Sequence, residues 1–205
     1  MSVSVHDLSI ARGGIPLLEG VHFDVPAGQA LILRGPNGIG KTTLLRTISG
    51  LQPVRSGRIE LAPDSVTYAG HSDGVKNTLT VAENLQFWAD IYGHKGITSA
   101  LESVKLKTLA DRPAGMLSAG QKRRLGLSRL LVTGRSLWLL DEPTVSLDAS
   151  SIAMFSNVLE DHLQRGGSAV IASHVEIALD ALKELDLMPF RASLDTSTFL
   201  EDGEV

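Results

Sequence analysis

Residues 35–42 read Gly-Pro-Asn-Gly-Ile-Gly-Lys-Thr, a spacing of glycines, lysine and hydroxyl suited to holding phosphate. Glycines let backbone N–H groups converge on an oxyanion with no side chain in the way. A helix beginning there aims its positive end at the same place. In such a loop Lys41 reaches the outer phosphates and the Thr42 hydroxyl can ligate Mg²⁺, while Gly35, Pro36, Asn37, Gly38, Ile39, Gly40 and Thr43 complete the cradle. A second chemical group, Asp141-Glu142, closes the apolar run Leu137-Trp138-Leu139-Leu140. An apolar strand ending in two carboxylates delivers them at one edge of a sheet, beside a phosphate loop. Asp141 suits a divalent cation, directly or through water, and Glu142, just off the strand, suits a general base acting on water.

The elements that must position these groups follow from hydrophobic periodicity. Residues 3–10 and 21–25 alternate apolar and polar, as half-buried strands do. Ala30-Leu31-Ile32-Leu33 is apolar without alternation, the pattern of a strand covered on both faces. It runs into the glycine loop, after which the spacing predicts a helix over 42–49 with Gly50 at its end. Short strands are expected near 58–61 and 66–69. From about 80 to 131 the chain reads as helical: Val81, Leu85, Trp88 and Ile91-Tyr92 recur at three to four residues, and Leu117-Ser118 opens a further helix. A second all-apolar strand at 137–140, a helix over 150–164 and a third strand at 169–173 follow. Buried strands alternating with helices imply an α/β fold, a parallel sheet covered on both sides with the helical middle as an inserted lobe. The last ten residues, 196–205, look loose.

The bulk properties bound the function. The 205 residues suffice for one domain with a proper core, and 43% are hydrophobic, so the chain is globular. A net charge of −4 argues against a nucleic-acid partner, which ordinarily meets a basic face. There is no cysteine, hence neither disulfide nor thiolate metal site, and a reducing cytoplasm fits. No stretch approaches the ~18 apolar residues a spanning helix needs, and the first residues lack the layout of a signal peptide.

Between the two chemical groups lies Leu117-Ser118-Ala119-Gly120-Gln121, a serine cap and small residues opening a helix, a second anion-binding nest. The order of glycine loop, LSAGQ and then Asp141, 23 residues after Ser118, resembles the Walker A, signature and Walker B motifs of the ABC ATPases. Ser146-Leu147-Asp148 is similar to that family's D-loop, and His174 to its switch histidine. The resemblance covers about residues 3–190. It implies a P-loop NTPase of ABC type: a mainly parallel core sheet, a small antiparallel β part and a helical lobe at about 72–131, in one domain over 1–205. It implies ATP and Mg²⁺ as cofactors, with Lys41, Glu142 and His174 catalytic. The Walker A residues, Ser118, Ala119, Gly120, Gln121 and Asp148 would contact nucleotide, and Thr42 and Asp141 the metal. In this family the signature serine caps the γ-phosphate of an ATP held by a second subunit. The resemblance therefore implies a homodimer closing around two ATPs, driving an integral membrane permease from the cytoplasmic face of the inner membrane.

Two positions depart from the family pattern. Arg12 stands where an aromatic ring ordinarily stacks on adenine; a guanidinium plane can stack on a base as well, or be solvated. His71 stands where the Q-loop glutamine ordinarily joins the metal site. Mg²⁺ prefers oxygen ligands, so His71 is expected to act there through a water, or as a sensor of the permease. With Tyr68-Ala69-Gly70-His71, the Ser136-Leu137-Trp138 lead-in and residues 117–130, the chain resembles the ATPases of the cytochrome c maturation (haem exporter) system. That branch implies a haem-chaperone maturation complex as partner. The alternatives are the ATPase of a different ABC importer or exporter, or a soluble ABC protein of DNA repair or translation. Repair members insert long modules between Walker A and the signature, whereas Ser118 follows Lys41 by 77 residues, and translation members carry two such domains. A permease helix is expected to dock at residues 71–92, where Phe87, Trp88 and Tyr92 cluster.

Overall fold

The structure, a computed structural model, describes residues 3–175, 177, 179 and 181–193; the tail expected to be loose lies outside them. Two β-strands, β1 (Val3–Arg12) and β2 (Ile15–Val25), form an antiparallel hairpin. Its two-residue turn is Gly13-Gly14, at φ 57° and 83°, the left-handed pair a tight hairpin requires. The alternation read in β1 holds only in halves. Val3 and Val5 are buried, then Leu8 and Ile10, because Asp7 sits at φ 47° and the register to β2 slips between Val5 and Leu8. A bulge there shifts the phase of the buried side by one residue. The strand β4 (Ser56–Glu60) pairs with the other edge of β1, giving the order β2-β1-β4.

The larger sheet has five parallel strands in the order β5-β6-β7-β3-β8, where β3 is Ala30–Arg34, β5 Val66–Ala69, β6 Leu137–Asp141, β7 Ser168–Ala172 and β8 Leu182–Asp186. Alternate residues of its central strands feed two separate cores. Ile32, Trp138, Leu140 and Ile171 pack with Phe155 and Leu159 of the helix α5 (Ala149–Gln164) and with the helical middle of the chain. Leu31, Leu33, Leu139 and Val170 pack instead with Leu44, Leu45 and Ile48 of α1 (Lys41–Ile48) and with the hairpin. Burial on both faces is why these strands read as unbroken apolar runs. β8 escaped the sequence reading: it is an edge strand, mostly exposed, with Lys183, Glu184 and Asp186 in it, residue types sheets otherwise avoid.

The middle is less helical than its periodicity suggests. It holds α2 (Val81–Ile91), α3 (Thr98–Ser103) and α4 (Ala119–Ser128), separated by turns, with left-handed residues at Gly93, Gly96 and Lys105. Both longer helices start with reciprocal capping boxes, Thr80 with Glu83 and Ser118 with Gln121, so their N-termini are set locally. Among the described residues no helix is long and apolar enough to cross a membrane.

Candidate active site

β3 ends at Arg34 and the glycine loop turns directly into α1. Gly35, Gly38 and Gly40 adopt φ 140°, 83° and 121°, and a Cβ at Gly40 would stand 3.3 Å from Leu18, so the loop needs glycine both for its turn and for its close seat on β2. Lys41 folds back over the loop: its Nζ donates to the carbonyls of Gly35 at 2.7 Å and Pro36 at 3.2 Å, and lies 3.3 Å from His174 Nε2. Burial holds the ammonium below the ordinary lysine range, an effect that nearby Glu142 and Asp141 oppose.

The parallel neighbours β6 and β7 bring the remaining groups to the same edge. Asp141, buried at the end of β6, accepts from Thr42 Oγ1 at 3.0 Å on one oxygen and from Tyr68 OH at 3.2 Å on the other. Burial raises Tyr68 above the usual phenol range, so it keeps the proton it donates. Glu142 leaves the strand with φ 49°, and its Oε1 lies 3.6 Å from His174 Nε2. The same Nε2 lies 2.7 Å from Asn37 Oδ1 of the glycine loop; the tautomer with Nε2–H donates to it. Lys41, Thr42, Asn37, Asp141, Glu142 and His174 thus form one connected group across three strand ends.

Other predicted residues stand apart from it. Ser118 accepts from Gln121 N at 3.2 Å while its own N–H donates to Gln121 Oε1 at 2.9 Å, so both bonds serve its own helix. A Cβ on Gly120 would lie 3.0 Å from Ser146 O, which places the signature turn against the segment leading to Asp148. Ala119 continues the same first turn. Asp148 caps α5, and hydrogen bonds from Ser151 and Ser150 hold its carboxyl below the usual range. His71 is exposed on the loop after β5, and its carbonyl accepts from Arg123 Nη1 at 3.4 Å. Among the described residues no three His, Asp or Glu side chains gather as a metal cluster. Arg12, at the hairpin tip, is exposed and does not line the cleft of about 380 Å³ beside the glycine loop. That cleft is walled by Ile15, Pro16, Leu17, Asn37 and Arg191 among others. Tyr68 and Arg123 lie in stretches that carry the branch resemblance but had no role attached to them there, and Arg191 lay in no motif; the fold places all three at the site.

Known proteins resemble the chain in sequence and in fold. Residues 18–145 match the family model described as ABC transporter. The chain is 63% identical over 191 residues to the cytochrome c biogenesis ATP-binding export protein CcmA of Paracoccus denitrificans, covering 93% of this chain and 91% of that protein. It is likewise 63% identical over 192 residues to the protein of the same name from Ruegeria pomeroyi, covering 94% of each. A solved Pyrococcus furiosus chain, provisionally assigned as an ABC transporter ATP-binding protein, aligns with a TM-score of 0.84 at 28% identity, covering 94% of this chain and 100% of that one.

Proposed function

This chain belongs to the ABC transporter family, and on that premise we propose that it is the ATP-hydrolysing subunit of a cytochrome c biogenesis export complex of the haem-exporter type. The observation that carries the chemistry is the connected group at the ends of β3, β6 and β7. ATP enters with its phosphates against the glycine loop and the N-terminus of α1, where Lys41 exchanges its bonds to Gly35 O and Pro36 O for phosphate oxygens. Glu142 accepts a proton from water as that water's oxygen bonds to the γ-phosphorus. The bond from that phosphorus to the bridging oxygen breaks, and ADP and phosphate leave. His174, already bonded to Asn37 and within 3.6 Å of Glu142, lines up with the γ-phosphate and holds the water's geometry. Thr42 and Asp141 offer hard oxygen donors 3.0 Å apart, the set Mg²⁺ prefers, and they would hold that ion. When bound it supplies positive charge to the phosphate oxygens. His71 serves as a sensor of the permease rather than as a direct ligand, since its imidazole is exposed on its loop.

The proposed assembly is a homodimer in which Ser118, at the start of the signature helix, meets the ATP of the other subunit. This engine works at the cytoplasmic face of a membrane, attached through permease subunits, and forms part of a haem-chaperone maturation complex. Glu142→Gln tests the reading: ATP binding is retained, turnover falls by about 10²–10⁴, and the variant with ATP runs at twice the 21.8 kDa chain mass. Turnover at the parent rate would remove Glu142 from its role. Restoration of cytochrome c in a strain lacking its own export ATPase, by the parent chain and not by Lys41→Ala, tests the branch.

A further inference from the structure

Arg123 sits in Lys122-Arg123-Arg124, a basic run on a helix that would ordinarily be solvated, yet it is only 4% exposed. All of its N–H groups are used. Nε donates to Pro143 O at 3.0 Å, and Nη2 to Glu142 O at 2.7 Å and Asp141 O at 3.4 Å. Nη1 donates to Gly70 O at 3.1 Å, His71 O at 3.4 Å and the Asp73 carboxylate at 2.9 Å. One guanidinium from the signature helix therefore grips two separate backbones, the end of Walker B and the loop carrying His71.

Two further observations make this more than a buried ion pair. Glu142 holds a left-handed conformation, φ 49°, which a residue with a Cβ adopts only when its surroundings impose it. Its N–H is tied to Ala172 O at 2.8 Å; its carbonyl takes the Arg123 bond and closes a turn with Val145 N at 3.3 Å. The peptide that aims the Glu142 carboxylate is thus clamped on both sides. Along α4, the face three residues on from Arg123 lies against the same loop. A Cβ on Gly126 would be 2.9 Å from Asp73 O, so only glycine permits that approach, and Arg129 Nη2 donates to Tyr68 O at 3.1 Å.

We propose that Arg123 is a positioning residue for hydrolysis, holding Glu142 in its left-handed conformation and linking that peptide, through the signature helix, to the His71 loop. The proposal rests on the reading of Glu142 as the base. A displacement of the loop at residues 70–73 reaches the Glu142 peptide through one rigid, planar group, with the signature helix as its mount. Lysine cannot replace it, because a single ammonium does not span both backbones.

A double-mutant cycle decides the matter, with kcat expressed per nucleotide-binding site so that unfolded chains do not count. Arg123→Lys is expected to lower kcat by about tenfold or more, with KM for ATP within about threefold of the parent. The same change in a Glu142→Gln background is expected to add less than about threefold, because the group Arg123 aims is gone. A merely structural role would give equal losses in both backgrounds, and that result, or a parent kcat in Arg123→Lys, overturns the proposal. Asp73→Ala removes the one side-chain contact of the loop arm, leaves every bond to the Glu142 side in place, and is expected to keep kcat within about threefold; a loss as large as that of Arg123→Lys overturns the assignment to the Glu142 peptide. Should the lysine variant fail to fold, Arg123→Gln takes its place, as an uncharged donor that needs no counter-ion. Parent turnover in Glu142→Gln itself would defeat the base assignment, a separate outcome.

Discussion

At the scale of single residues, the proposed site places groups where their protonation state suits phosphate. Lys41 is a protonated amine bent over two carbonyls, and burial has brought its pKa down from 10.5. The native chain therefore binds fewer protons than the unfolded chain between that lowered value and 10.5, so the nucleotide-free protein gains stability from this group as pH rises through the window. Phosphate binding needs the proton and moves the other way. ATP affinity is expected to weaken with rising pH before a solvated lysine would titrate, as calorimetric titration across alkaline pH would show. Lys41→Ala is expected to weaken ATP binding by about 10–100-fold at neutral pH, the loss of a charge-assisted hydrogen bond. A pH-independent affinity up to the ordinary lysine value would contradict this account.

At the scale of elements, the end of the sheet away from the phosphates carries a different device. Trp138 in β6 stacks on His162 of α5, centroids 3.7 Å apart and planes 10° from parallel, and His162 Nε2 lies 3.3 Å from Ser168 O at the start of β7. This stack pins α5 to the two central strands that carry Asp141 and His174. Burial lowers the His162 pKa below 6.5, so the unfolded chain binds more protons there and stability falls as pH drops through the ordinary value. His162→Phe keeps the stack and removes the titration. Its melting temperature is expected to fall less between pH 7.5 and 5.5 than the parent's, by at least about 2 °C. An equal fall in both proteins would put the acid sensitivity elsewhere.

At the scale of the whole molecule, the proposed docking surface for a permease falls on α2, within residues 71–92. Of the clustered aromatics, Trp88 is half-buried, stacked on Tyr92 at 6.4 Å and facing Arg129 at 5.5 Å, which makes it part of the packing. Phe87 is the exposed one, at 47%, near Ile91 at 56% on the same helix. An apolar ring left in water on the loop-ward helix suits an anchor at an interface. Phe87→Ala is expected to lower co-sedimentation with membranes holding the permease by about tenfold, the effect of a hot spot of ~1.4 kcal/mol, at an unchanged melting temperature. Retention of full membrane binding would move the docking surface away from α2.

What the sequence by itself determined was whatever depends on neighbours along the chain. The glycine loop, the serine cap at Ser118 and the unbroken apolar strands all arise within a few residues, so their spacing reveals them. The order of motifs was enough to name Lys41, Thr42, Asp141, Glu142 and His174, which the folded chain brings into one group. What only the tertiary structure decided was burial and long-range pairing. Arg123 and Lys122 look alike in sequence, but one is sealed under Walker B. The Tyr68 hydroxyl reaches Asp141 across 73 positions. β8 exists because β3 offers it an edge, and Arg191, rather than Arg12, lines the cleft beside the glycine loop. Periodicity reports which side of an element is apolar; which neighbour covers that side, and which polar group is trapped beneath it, is settled only when distant segments pack.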